Sequence, residues 1–109
     1  MIATRIAGES GMPNYYPISK IIGNKITYYR KMKGMTLENL SNIVGVSEQQ
    51  QSRYERGINR INIDRLYHYS KIFEIDIMAF FIFNSKEINE IEHSEERHLI
   101  KKVNVKDIL

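Results

Sequence analysis

Between residues 18 and 83 apolar side chains recur every three or four positions, and the recurrence stops and restarts at capping residues and glycines. Ile18, Ile22, Ile26 and Tyr29 share one face, which predicts a first helix opened by Pro17 and closed near Lys33 and Gly34, where basic residues and a glycine favour a stop. Thr36 is a good N-cap for a second helix that carries Leu37, Leu40, Ile43 and Val44 as far as Gly45, although Asn39 stands where a capping box prefers Glu or Gln. Gly45 and Val46 alone separate it from Ser47, the N-cap of a third helix that begins with Glu48 and stops at Gly57. After a break at 59–62, Ile63, Leu66, Tyr69 (or Ser70) and Phe73 predict a fourth helix ending around Glu74. Asp76 can cap a fifth, containing Ile77, Phe80 and Phe81. Beyond Asn84, the residues Ile88, Ile91, Leu99, Ile100 and Val103 are sparse and strongly charged between, so a sixth helix stays open. No strand alternation persists, and the fold class is all-α with five core helices.

The 109 residues, 42% of them hydrophobic, suffice for one domain. It is expected at 18–83, between an N-terminal arm at 1–17, rich in Gly and Pro, and a charged C-terminal tail at 84–109. The chain has no cysteine, which excludes disulfides, thiol catalysis and thiolate-bound zinc. Residues 1–11 lack the apolar run of a signal peptide, and the apolar stretch 77–83 is too short to span a bilayer. A cytoplasmic protein without a membrane partner is expected. His68, His93 and His98 do not make a metal set, since the last two stand five residues apart. With no carboxylate pair, nucleophile motif or phosphate loop to place, neither enzymatic activity nor a cofactor is expected.

The net charge of +3 is unevenly spread. Residues 20–60 hold eight basic and three acidic side chains, whereas the chain from 61 onward holds seven basic and nine acidic. The basic excess therefore coincides with the first three helices, as it would if a polyanion met one part of the domain. The third helix is the most polar: Glu48, Gln49, Gln50, Gln51, Ser52, Arg53 and Arg56 leave Tyr54, with Val46 and Ile58 at the ends, as its apolar anchors. Two short helices joined by a tight glycine-containing turn, the second polar over most of its surface, suit the major groove of DNA. Gln and Arg are also the side chains whose paired groups match adenine and guanine edges.

The stretch from IGNKITYYRKMKGMTLENLSNIVGVSEQQQSRYERG through INIDRLYHYSKIFEIDIMAFF resembles the Cro/phage-repressor type of helix-turn-helix domain, the XRE family, over residues 21–81. The glycine after the opening Ile, Arg30, the GMT that starts the second helix, the GVS turn and the YERG ending carry the likeness. More narrowly, SEQQQSRYERG is similar to the recognition helix of the small regulators encoded with fimbrial operons in enteric bacteria, the MrpJ type. The resemblance implies a lambda-repressor-like DNA-binding fold and a regulator of transcription that binds double-stranded promoter or operator DNA. At its narrowest it implies repression of flagellar motility genes during fimbrial expression.

In this register Arg53 is the leading base reader and Gln49 approaches a base edge near the helix start. Gln50 and Ser52 fall on phosphate or flanking bases. Thr36 and Ser47 are caps whose helix N-termini can also donate N–H groups to phosphates. Arg56, Asn59 and Arg60 follow on the sugar-phosphate backbone, where they fix position without selecting sequence. Arg30 and Glu55 are implied to form a buried ion pair between the first and third helices. Half of the aromatic run 79–83 belongs to the core and the remainder to a two-fold dimer contact, with Phe80, Phe81 and Phe83 as candidates, because such regulators bind paired half-sites about 34 Å apart. Two residues depart from the pattern. Glu48 replaces Gln and would repel phosphates unless it accepts from a cytosine amino group or pairs with Arg53 or a lysine. Gln51 replaces an apolar residue that faces the core, so its amide must turn outward or find a partner; burial unpaired would cost roughly 1 to 3 kcal/mol. The competing reading is an antitoxin or protein-interaction adaptor on the same fold. Its tail, or a regulator's, would engage RNA polymerase or another protein.

Overall fold

The computed structural model describes residues 16–93. It holds α1 (Pro17–Met32), α2 (Leu37–Val44), α3 (Glu48–Arg56), α4 (Ile63–Phe73), a 3₁₀ helix (Ile77–Phe81) and α5 (Ser85–Ile91), with no strand among the described residues. Pro17 occupies the first position of α1, where its missing N–H leaves no bond unmade, so the helix takes in the last residue of the 1–17 segment. Thr36 accepts from the Asn39 N–H at 3.0 Å while the Asn39 side chain accepts from the Thr36 N–H at 3.1 Å. The capping box thus closes with the shorter amide. Ser47, Asn62 and Asp76 cap the next three elements without the reciprocal bond, each side chain accepting one backbone N–H, from Gln50, Arg65 and Met78 respectively.

Ile22, Ile26, Leu40, Val44, Leu66, Tyr69, Phe73 and Phe80 enclose the core. Each such side chain contributes about 1.5 to 3 kcal/mol by leaving water. Ile43 and Ile63, which the periodicity assigned to apolar faces, point outward at 49% and 64% exposure. The aromatic members interlock: Tyr29 stacks on Phe73 at 5.7 Å and meets Phe80 edge-on at 6.0 Å.

The fifth helix expected after Asp76 is present, and it is a 3₁₀ helix. At three residues per turn, Ile77 and Phe80 fall one above the other and both reach the core. Phe80 is consequently enclosed completely and is a core residue, not a dimer-contact candidate. Phe81 and Phe83 stay partly exposed, with ring centres 6.5 Å apart. Downstream, Asn84 and Glu87 form a second capping box that starts α5. That helix buries no residue fully and rests on α1, where Lys25 lies 4.0 Å from Glu87 and 6.0 Å from the centre of the Phe83 ring. Leu99, Ile100, Val103 and His98 lie outside the described residues.

Candidate nucleic-acid interface

Three residues join α2 to α3. Gly45 adopts the left-handed conformation at φ 80° and returns its N–H to the Ser41 carbonyl, and Ser47 starts the next helix by accepting from the Gln50 N–H at 3.0 Å. The turn is therefore fixed by backbone conformation at one end and by a cap at the other.

Within α3 the residues divide by helical spacing. Gln51, Tyr54 and Glu55 are buried, whereas Glu48, Gln49, Arg53 and Arg56 are exposed and Ser52 is half-buried. The outward set lines a shallow groove with Leu37 from the first turn of α2. Gln49, Ser52, Arg53 and Arg56 stand at relative positions 0, 3, 4 and 7 and so share one face. Arg56 also donates to the Ser52 hydroxyl at 3.2 Å, which lays its guanidinium along the helix. Gln50 is half-buried beside this row.

Close approach of α1 holds the inner face. A Cβ on Gly23 would lie 2.5 Å from the carbonyl oxygen of Tyr54 and 2.6 Å from that of Glu55, so only a glycine lets the two backbones meet. Glu55 is then satisfied from three directions. Arg30 grips both its oxygens at 2.8 and 3.0 Å, Thr27 donates at 2.9 Å, and the Gln51 amide donates at 2.9 Å. Gln51 has turned inward and found partners, because its carbonyl oxygen accepts from the Tyr69 hydroxyl at 2.5 Å. Burial pushes the Tyr69 hydroxyl well above the ordinary tyrosine range, so it remains a donor at neutral pH.

The internal pairing of Arg30 with Glu55 removes a carboxylate from the outer face. Arg53 and Arg56 then outweigh Glu48, which makes no ion pair among the described residues. Thr36 and Ser47 are exposed at the two helix starts, where the leading backbone N–H groups have no partner within the helix. Arg60 lies with its guanidinium 4.2 Å from the centre of the Tyr16 ring, and Asn59 is half-buried between α3 and α4. Tyr16 was not legible as part of this surface, since it precedes the first periodic residue. The hydroxyl of Tyr69 was foreshadowed only by the use of Tyr instead of Phe at a core position.

Arg65 on α4 donates to the Val44 carbonyl at 3.3 Å and stands 5.6 Å from the Tyr54 ring centre, bracing the turn from behind. No group of three or more metal-ligating side chains gathers among the described residues. No helix there is long and apolar enough to cross a membrane.

Comparison with known proteins agrees with this geometry. The chain matches the Helix-turn-helix family over residues 26–80. It is 37% identical over 65 residues to a protein of Sinorhizobium medicae named as an uncharacterized HTH-type transcriptional regulator, covering 60% of this chain and 47% of that one. A similarly named protein of Sinorhizobium fredii is 30% identical over 105 residues, covering 96% of this chain and 69% of its own. A Rhodospirillum rubrum protein, named as a transcriptional regulator in the ATPase CF(0) region, is 31% identical over 90 residues, 83% of this chain and 77% of that one. The chain spans about half the length of the first of these relatives. No solved structure matches it with significance. The family match runs from the middle of α1 to Phe80 and so takes in the paired helices together with the elements that brace them, and the chain belongs to the helix-turn-helix family, of the XRE type.

Proposed function

We propose that the protein is a sequence-specific DNA-binding regulator of transcription that lays α3 in the major groove. The observation that carries this reading is the outward row of exposed Gln49, Arg53 and Arg56 with half-buried Ser52 among them, on a helix whose opposite side is tied down by Arg30, Gly23 and Tyr69. Arg53 bridges a guanine edge, Gln49 approaches an adenine, and Arg56, Asn59 and Arg60 meet the backbone. The N-termini of α2 and α3 at Thr36 and Ser47 lend N–H groups to phosphates. Glu48 accepts from a cytosine amino group.

The protein acts as a homodimer on paired half-sites and represses by occluding the promoter or by contacting RNA polymerase. The likeness of the α3 segment to the MrpJ type supports flagellar motility genes as targets, in exchange for fimbrial expression. The test is selection of duplexes from a random-sequence pool by the full chain, followed by titration of the selected sequence and a scrambled control across salt. A preferred sequence bound with steep salt dependence is expected. Weak binding that is insensitive both to salt and to sequence would refute the reading. Transcription from a flagellar promoter fused to a reporter, with and without the protein, checks the repressor assignment.

A further inference from the structure

α3 has little hydrophobic anchorage, for Tyr54 is its one buried apolar side chain. Nine polar-rich residues do not set their own rotation about the helix axis. The close approach of α1 at Gly23 holds the α3 backbone, and directional bonds that form a continuous path add to that hold. The Tyr69 hydroxyl on α4 donates to Gln51, Gln51 donates to Glu55, and Glu55 receives Arg30, which donates onward to the Met35 carbonyl at 2.9 Å, one residue before the cap of α2. Both ends of the Gln51 amide are engaged, so it has one orientation. Tyr69 is itself fully enclosed and stacked on Phe73 at 6.0 Å with the rings 13° from parallel. Gln49 and Arg53, two residues to either side of Gln51, face outward.

We propose that Tyr69 is a positioning residue for sequence-selective DNA binding: through Gln51 its hydroxyl fixes the rotation of α3 and hence the register of Gln49 and Arg53 against base edges. The proposal rests on the DNA-binding reading above. Base contacts require side chains held to about 0.5 Å and 10–20°, whereas attraction to phosphates depends on charge and tolerates looser placement. Loss of one buried oxygen should therefore lower selectivity and leave general affinity for DNA in place.

The experiment measures the ratio of affinities for the sequence that the full wild-type chain enriches from a random pool and for a scrambled duplex. Tyr69→Phe is expected to lower that ratio roughly tenfold, with binding to scrambled DNA and its salt slope unchanged and with a cooperative thermal melt. Gln51→Leu should lower it comparably, and adding Tyr69→Phe to Gln51→Leu should change it by less than about twofold, since the hydroxyl acts through the amide. An unchanged ratio in Tyr69→Phe, an equal fall on both duplexes, or a hydroxyl effect that persists without Gln51 would overturn the proposal. Should Tyr69→Phe fail to fold, the ratio for Gln51→Leu decides, and an unchanged value is again fatal. A wild-type chain that enriches no sequence defeats the DNA-binding reading as well; one that enriches a sequence which the variants still prefer equally defeats the positioning role alone.

Discussion

The Arg30 guanidinium grips both carboxylate oxygens of Glu55, at 2.8 and 3.0 Å, and so fastens the last turns of α1 to the last turns of α3. Side-chain exposures of 12% and 7% leave little water to replace either partner. Arg30→Ala strands a buried carboxylate and should cost about 3 to 5 kcal/mol. The loss should sit at the lower end, because Thr27 and Gln51 continue to donate to Glu55. Adding Glu55→Gln, which removes the stranded charge, should recover part of it. Urea denaturation measures both, and an Arg30→Ala chain within about 0.5 kcal/mol of wild type would contradict the assignment.

Gly23 and Gly45 predict opposite severities for the same substitution. A methyl at Gly23 would meet backbone oxygens of α3 at 2.5 and 2.6 Å, and neither helix can yield without parting. Gly23→Ala should cost about 3 kcal/mol. At Gly45 the same methyl meets nothing within 4 Å, so Gly45→Ala bears only the strain of φ 80°, about 1 kcal/mol. Melting curves that rank the two equally, or in reverse, would mean that α1 and α3 do not approach as described.

The Arg53 side chain is exposed, and among the described residues it enters none of the ion pairs, while its carbonyl, which a substitution keeps, closes the end of α3. Arg53→Ala should leave stability within about 0.5 kcal/mol of wild type. On a selected DNA sequence it should lose about 1 to 3 kcal/mol and relax preference at one base position, while residual affinity stays salt-dependent. Selection repeated with the variant checks this, and recovery of the same sequence with the same preference at every position would remove Arg53 from the base-reading role.

Burial raises the Tyr69 hydroxyl above the ordinary value of 10.0. The folded chain thus keeps this proton where the unfolded chain has lost it, so the stabilisation is complete below pH about 10 and declines as pH rises beyond, by up to about 1.4 kcal/mol per unit until the folded value is reached. Tyr69→Phe removes the group from the balance. Urea midpoints followed from pH 8 to 11 should fall less steeply in that variant than in wild type, and parallel curves would argue that the hydroxyl is not buried.

Much of this architecture was written locally. Thr36, Ser47 and Asp76 announce helix starts, Gly45 and Gly57 announce ends, and the polar run at 48–53 marks the helix with an exposed face. What escaped depends on contacts far apart in the chain. The spacing of α3 turns Gln51 inward but cannot name Tyr69, 18 residues away, as its partner. Nor can it put Tyr16 beneath Arg60. The aromatic run 79–83 escaped for another reason: the apolar spacing of five residues does not separate a helix period of 3.6 from a 3₁₀ period of 3.0, yet the two rotate apart by about 80° over that length, enough to change which phenylalanine faces the core.

Phe80 and Phe81 therefore separate stability from association. Phe80 is wholly enclosed against Tyr29, and Phe80→Ala should cost about 3 to 5 kcal/mol and unfold the chain at a lower temperature whatever its concentration. Phe81 is 37% exposed and lines a largely apolar groove with Ile18, Ile61 and Ile63. Phe81→Ser removes apolar surface that a two-fold contact would cover, and it leaves the core intact. If the regulator pairs through this face, Phe81→Ser should shift the monomer–dimer midpoint to higher protein concentration and weaken binding to paired half-sites, with little change for a single half-site. Sedimentation equilibrium over a range of concentrations, with and without DNA, gives the answer: a wild-type chain that stays monomeric in both conditions rules the pairing out, and a dimer indifferent to Phe81→Ser moves it to another face.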